Sequence, residues 1–180
     1  MRRRWLAVPA ILVPLGVLAA WLVSIGPLRP RLAADSGMRV LDRSGQTLAD
    51  VRDDSFELSL PVRFEALSPH LVPALLAAED ARFYQHPGID PLALSRAALQ
   101  ALAAGRFVSG GSTITQQLAR LLFARPRTLA GKWRELGYTL RLEAELGKDE
   151  ILSAYLARVS FGPRVRGVGA ASWYYFDKPA

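Results

Sequence analysis

The chain has 180 residues, 51% of them hydrophobic and 22% charged, with no cysteine and a net charge of +7. The missing cysteines exclude a disulfide framework and a thiolate metal site. Setting aside Arg2, Arg3, Arg4, Arg29, Arg31 and Asp35 leaves 18 basic against 15 acidic residues; this balance, without a zinc-finger, RNA-recognition or basic-zipper pattern, excludes a nucleic-acid partner.

Residues 1–4 read as a cytoplasmic tail and residues 5–28 as a transmembrane signal-anchor. The uncharged run from Trp5 to Leu28 exceeds the roughly 20 apolar helical residues that a bilayer core requires. Arg2, Arg3 and Arg4 favour a cytoplasmic N-terminus, so the remainder lies outside, as a single-pass protein of the bacterial inner membrane. Residues 29–66 read as a linker with a β-hairpin, two short strands around Ser44-Gly45. From Ser68, a predicted N-cap with Pro69 at the first helical position, a helix carries the stripe Leu71, Leu75, Leu76 toward Glu79. A second helix is predicted over Pro91–Ala104, ending at Gly105, followed by a loop to Gly111. The apolar pair Phe107-Val108 in that loop, beside Arg106, has a composition suited to a membrane interface. A third helix starts at Ser112 or Thr113, with Gln116 placed to close a capping box onto Thr113, and runs to Pro126. Helices over Thr128–Leu146 and Asp149–Val159 complete a mainly α body, residues 67–180.

Two polar blocks stand out: Glu79-Asp80-Ala81-Arg82-Phe83-Tyr84-Gln85-His86-Pro87-Gly88, and Gly110-Gly111-Ser112-Thr113-Ile114-Thr115-Gln116-Gln117. Asp80 adjoins Glu79, and a like charge can raise one carboxyl toward the range useful to a general base. Phe83 and Tyr84 offer an apolar wall for a sugar ring, and His86 reads as an imidazole that orients its loop. Gly111, Ser112 and Thr113 enter a helix N-terminus, which suits an anion or a sugar hydroxyl. Gln116 and Gln117 add amide donors and acceptors. Between Asp90 and Glu135 there is no acid but seven bases: Arg96, Arg106, Arg120, Arg125, Arg127, Lys132 and Arg134. Such a run suits an anionic substrate group. Lys132 and Glu135 share one helix face at i, i+3 spacing.

The Glu-Asp-x-x-Phe-x-x-His-x-Gly and Gly-Ser-Thr-x-x-x-Gln-Gln blocks, at this separation, resemble the family 51 peptidoglycan glycosyltransferases. These are the lipid II polymerases of monofunctional transglycosylases and class A penicillin-binding proteins. The resemblance runs through roughly residues 40–180. It includes Arg127-x-x-x-Gly131-Lys132-x-x-Glu135, Ile151-Leu152-x-x-Tyr155-Leu156 and Gly167-Val168-x-Ala170-Ala171, and the Arg127–Lys132 stretch is most similar to the penicillin-binding protein 1C branch. Most of the family has Arg at the position of Gly131 and Asn at that of Ala157. On this resemblance the family domain is expected to run past Ala180, so the chain reads as the N-terminal part of a bifunctional protein or as a truncated reading frame.

The resemblance implies a lysozyme-like helical lobe with a small membrane-associated jaw. It implies catalytic carboxylates Glu79 and Glu135, with Glu79 as the base that deprotonates the sugar 4-hydroxyl of acceptor lipid II. Asp80, Phe83, His86, Gly111, Ser112, Thr113, Gln116, Gln117, Arg120, Arg127 and Lys132 are the substrate-binding candidates. Arg120, Arg127 and Lys132 face the departing polyprenyl pyrophosphate, and Glu135 positions basic groups. The sequence requires no cofactor and offers no metal-ligand motif; a divalent cation (Mg or Mn) assisting pyrophosphate departure stays open. The expected partners are lipid II, the growing glycan strand, the bilayer and other cell-wall synthesis proteins. The competing readings are a lytic transglycosylase or lysozyme-like enzyme, and a truncated, inactive module that holds lipid II.

Overall fold

The computed structural model describes residues 16, 19–32, 37–52, 57–106, 110–123, 126 and 128–180. Most of the expected anchor, the Phe107-Val108 pair, Arg125 and Arg127 lie outside the described residues. Among the described residues no helix is long and apolar enough to cross a membrane.

Strands β1 (Met38–Leu41) and β2 (Thr47–Val51) form the expected antiparallel hairpin, with Met38 opposite Val51 and Val40 opposite Ala49. Its turn is held by Asp42, whose Oδ1 accepts the backbone N–H groups of Ser44 and Gln46, each at 2.8 Å. Gly45 there has a φ of 84°, the left-handed region that glycine enters without strain. A second sheet was not legible in the sequence. In it β3 (Leu58–Ser59) runs parallel to β5 (Val165–Arg166), which pairs antiparallel with β4 (Ser160–Gly162).

The body is helical. Helix α1 (Leu71–Glu79) starts after His70 rather than at the predicted Ser68 cap, and His70 makes no side-chain cap bond. Ser68 Oγ instead accepts the His70 N–H within the preceding turn, at 3.4 Å, an arrangement that competes with helix entry. Helix α2 (Pro91–Ala104) has the bounds expected. Asp90 caps it by accepting from the Leu92 and Ala93 N–H groups, Pro91 stands in the first turn, and Gly105 ends it with a φ of 62°. Helix α3 (Ile114–Leu122) begins at the predicted capping box: Thr113 Oγ1 accepts the Gln116 N–H while Gln116 Oε1 accepts the Thr113 N–H. Helix α4 (Leu129–Glu145) is capped by Thr128. Helix α5 (Lys148–Leu156) follows Gly147, whose N–H is accepted by Glu150. Helix α6 (Val168–Phe176), also missed, closes the chain against β3 and β5.

Helices α3, α4 and α5 pack together around Ile114, Leu118, Leu142, Ile151, Leu152 and Leu156. Their amphipathic faces supply most of the buried apolar surface, the main source of stability in such a domain. Leu28, counted in the sequence as the last residue of the anchor, is a member of this core and only 1% exposed. Its N–H donates to Glu145 Oε2 at 2.8 Å, and Arg29 reaches Glu150 and the Glu145 carbonyl. Residues 19–24 are helical, and the Trp21 ring lies where a Cβ on Gly137 of α4 would stand, 2.3 Å from it. The end of the expected anchor therefore belongs to the folded body, because Leu28 and Trp21 fill sites there.

The two departures from the family pattern have distinct local settings. A Cβ at Gly131 would stand 2.2 Å from the Pro126 carbonyl oxygen, so this turn excludes any larger residue. Ala157 follows α5, whose Ile151, Leu152, Tyr155 and Leu156 are all buried. It lines a cavity of about 440 Å³ with Leu32, Phe64 and Arg158, and the helix packs fully without the family asparagine.

Candidate active site

Glu79 is the last residue of α1 and its side chain is exposed. Its Oε2 accepts from Gln117 Nε2 on α3 at 2.9 Å. Among the described residues, no donor reaches its Oε1. One helical turn further along α3, Arg120 Nε donates to Glu135 Oε2 at 3.2 Å. Residues three apart occupy one helix face, so Glu79 and Glu135 flank the same side of α3.

Glu135 is 1% exposed. Its Oε1 is bonded to Lys132, at the i, i+3 spacing read from the sequence. Burial alone would raise its pKa, but the hydrogen bonds from Lys132 and Arg120 outweigh it and hold the carboxyl below its ordinary value. The two cations are each about half exposed. Arg120 Nη2 also lies 3.5 Å from Ser112 Oγ at the entry to α3. This places a fixed carboxylate underneath and two cations at the surface, an arrangement suited to a polyanion.

The linkage has a definite sign. A carboxyl whose folded pKa is depressed contributes stability above its unfolded value and loses it as pH falls through the folded one. Glu135→Gln should therefore be less stable than the parent at pH 7, and the gap should close as pH drops below about 4, near the ordinary carboxylate range. Urea unfolding of both proteins from pH 7 to 3 checks this; a gap constant with pH contradicts it.

Several residues expected to touch substrate are instead committed to the protein. Asp80 is buried, with Oδ1 3.0 Å from His86 Nε2 and Oδ2 accepting the Ile114 N–H at 3.0 Å. It therefore fixes α3 to the loop after Glu79. His86 is buried too, with its Nε2 against the Asp80 carboxylate. Its Nδ1 has no hydrogen-bond partner among the described residues. Phe83, expected as a sugar wall, is 1% exposed in the core, with the Lys148 ammonium 4.5 Å over its ring; Tyr84 is the exposed aromatic there. Gln116 is buried in its capping box, and Thr113 donates to the Gly88 carbonyl at 2.5 Å. Gly111 packs against Leu94, which lies 2.9 Å from a would-be Cβ. Both ends of the Gln117 amide are bonded, to Glu79 and to the Tyr155 hydroxyl. Among the described residues, Glu79, Ser112, Arg120 and Lys132 are the expected residues that keep accessible polar groups.

Sequence reasoning missed Tyr155 and Lys148. Tyr155 sits in an apolar helix stripe and reads as core. Lys148 reads as a helix start, yet its ammonium donates to the His86 carbonyl at 2.7 Å and to Glu143 at 2.8 Å. It pins the Asp80–Gly88 loop to α4 and α5. A pocket of about 200 Å³ opens beside Glu79, lined by Arg82, Arg96, Ser112 and Thr113 among others.

A divalent cation does not fit either carboxylate group. Each Glu135 oxygen already carries a cationic side chain. Asp80, His86 and Asp90 bring ligand atoms within 4.8 Å of one another. There, both Asp80 oxygens are engaged, and Asp90 Oδ1 is taken by the Leu92 and Ala93 N–H groups. Those backbone bonds, with Arg82, overcome burial and hold Asp90 below its ordinary pKa.

The chain matches the transglycosylase family over residues 44–180. It is 43% identical over 162 residues to penicillin-binding protein 1C of Escherichia coli, covering 89% of this chain and 21% of that protein. Penicillin-binding protein 1A of the same organism is 43% identical over 142 residues, 78% of this chain and 16% of the relative. Penicillin-binding protein 1F of Bacillus subtilis is 34% identical over 190 residues, 99% of this chain and 26% of the relative. The chain thus spans at most about a quarter of the length of these relatives. With the family match running through the hairpin, the Glu79 loop, α3, α4 and α5, this chain belongs to the transglycosylase family, the family 51 peptidoglycan glycosyltransferases.

Proposed function

We propose that this chain polymerises lipid II into glycan strands with release of polyprenyl pyrophosphate. The observation that carries the reading is the pair of groups on one side of α3: an exposed Glu79 with an open oxygen, and the Arg120–Glu135–Lys132 cluster one turn away. Glu79 Oε1 takes the proton of the acceptor 4-hydroxyl. The hydroxyl oxygen then bonds to the anomeric carbon of the donor strand. The bond from that carbon to the pyrophosphate oxygen breaks, and its electron pair leaves on the pyrophosphate. Attack opposite the leaving group inverts the anomeric centre. Pyrophosphate departs as an anion, so it needs charge neutralisation rather than protonation. Lys132 and Arg120 supply that charge, Ser112 supplies a hydroxyl beside Arg120, and buried Glu135 keeps both cations in place. Arg127 belongs to the same basic set by its sequence position.

Lipid II is anchored by its polyprenyl tail, so the cleft works at the outer face of the inner membrane. Helix α2 supports this placement: Leu92, Leu94, Leu99 and Leu102 are all exposed and no residue of the helix is buried. A face of this kind suits an interface of headgroups and acyl chains.

The reading separates from glycan cleavage in one experiment. Purified protein is given lipid II in one reaction and isolated cell wall in another. Polymer from the first supports the proposal; soluble fragments from the second, with no polymer, support a lytic enzyme, and lipid II binding without turnover supports a holding module. Within the proposal, Lys132→Ala should impair use of the donor strand more than of the acceptor. Lys132→Arg should rescue it only in part, since guanidinium and ammonium differ in shape and hydration. Equal losses at both subsites would assign Lys132 to structure.

A further inference from the structure

Glu79 is tied into a chain of hydrogen bonds that ends in the core. Gln117 Nε2 donates to Glu79 Oε2 at 2.9 Å, and the Tyr155 hydroxyl donates to Gln117 Oε1 at 2.9 Å. The three side chains come from α1, α3 and α5. A primary amide has a donor end and an acceptor end, and rotation by half a turn exchanges them. Facing a carboxylate, only the donor end is attractive. A far-side partner that donates to the amide oxygen reinforces that direction and holds the amide in place.

That partner is fixed in both position and chemistry. Tyr155 is 2% exposed, among Ile151, Leu152 and Leu156 of the core. Burial and the nearby Glu79 charge push its pKa up to about 12, so its oxygen carries a proton at any physiological pH. Its hydroxyl donates to the Gln117 oxygen while the carboxylate accepts from the NH₂, so the two partners together hold the amide in one direction. Glu79 itself is exposed at a helix end and has no other protein donor among the described residues. Without that NH₂ its carboxylate would sample several rotamers, at a cost in orientation.

We propose that Tyr155 is a positioning residue that, acting through Gln117, orients the Glu79 carboxylate so that Oε2 is occupied and Oε1 faces the acceptor. The proposal rests on Glu79 serving as the base. Tyr155 touches no reacting atom. Its effect passes through the amide it anchors, by a part-buried hydrogen bond whose Tyr155 end lies in the core.

Two arms test this, and they fail separately. The first does not depend on turnover. With tyrosine labelled at Cζ, the Tyr155 phenol is titrated by NMR in the parent and in Glu79→Gln. The Glu79 charge held beside this chain raises the phenol, so the phenol should titrate at lower pH in Glu79→Gln. An unchanged titration overturns the relay, whatever the protein catalyses. The second arm measures polymerisation. Tyr155→Phe should lower kcat by about tenfold, the loss of one orienting hydrogen bond, with KM nearly constant. In a Gln117→Ala background the same substitution should have little further effect, because the amide it anchors is gone. Equal losses of kcat in both backgrounds, or a loss matched by a fall in melting temperature, would make Tyr155 structural and overturn the proposal. If the parent forms no polymer, that result counts against the proposed function and the titration decides the relay.

Discussion

Glu79→Gln should abolish polymerisation while leaving the helical signal and melting temperature of the protein unchanged. The amide is nearly the shape of the carboxylate but cannot take the acceptor proton. The rate should fall by about 10²–10⁴-fold, the usual contribution of a general base. Folding is spared because the side chain is exposed and Gln117, its partner among the described residues, can still be engaged by an amide. Surface changes of this kind move stability by about 0.5 kcal/mol or less. Product formation by the variant at more than about a tenth of the parent rate would remove Glu79 from the role of base.

The second large effect concerns stability. Truncating Leu28 to Ala should cost about 2–5 kcal/mol, as for a leucine removed from a packed core. At this chain length a kcal/mol shifts melting by about 2–4 °C, so a drop on the order of 10 °C is expected. Deleting residues 1–28 should cost more. It removes Leu28, the Ile25 packing beside it and the Trp21 ring that covers Gly137. A shorter deletion, of residues 1–15, keeps Trp21, Ile25 and Leu28 and should cost less. Thermal unfolding of the three variants in the same detergent decides it. Equal melting of the long and short deletions would show that Leu28 adds nothing to the core. The stretch from Trp21 to Arg29 is then more than a tether, since its side chains pack onto and bond to the body.

The local signals that bound α2 and α3 are legible in the sequence. Asp90, Pro91 and Gly105 bracket α2 because each acts within a turn of the helix it bounds. Thr113 and Gln116 mark α3 for the same reason, and Lys132 finds Glu135 across one helical turn. Non-local features were illegible. Strands β3 and β5 are two residues each and pair Leu58 with Val165, leaving no run long enough to show alternation. Helix α6 opens with small residues, Gly169, Ala170 and Ala171, that carry no amphipathic pattern. In the site, residue type pointed to chemistry but not to depth. Phe83, Gln116 and Thr113 have the groups a sugar would meet, yet the fold uses them as core and caps. Tyr155 shows the reverse case: a residue patterned as core whose hydroxyl reaches the site through Gln117.

The most direct measurement follows both products of the proposed step. The protein, in its lipid environment, is given lipid II labelled separately in the sugar and in the polyprenyl pyrophosphate. The account predicts that glycan polymer appears together with free polyprenyl pyrophosphate, one released for each glycosidic bond formed, with every new bond inverted at the anomeric carbon. Release of the pyrophosphate without glycan bonds, or bonds that retain the donor configuration, would contradict it.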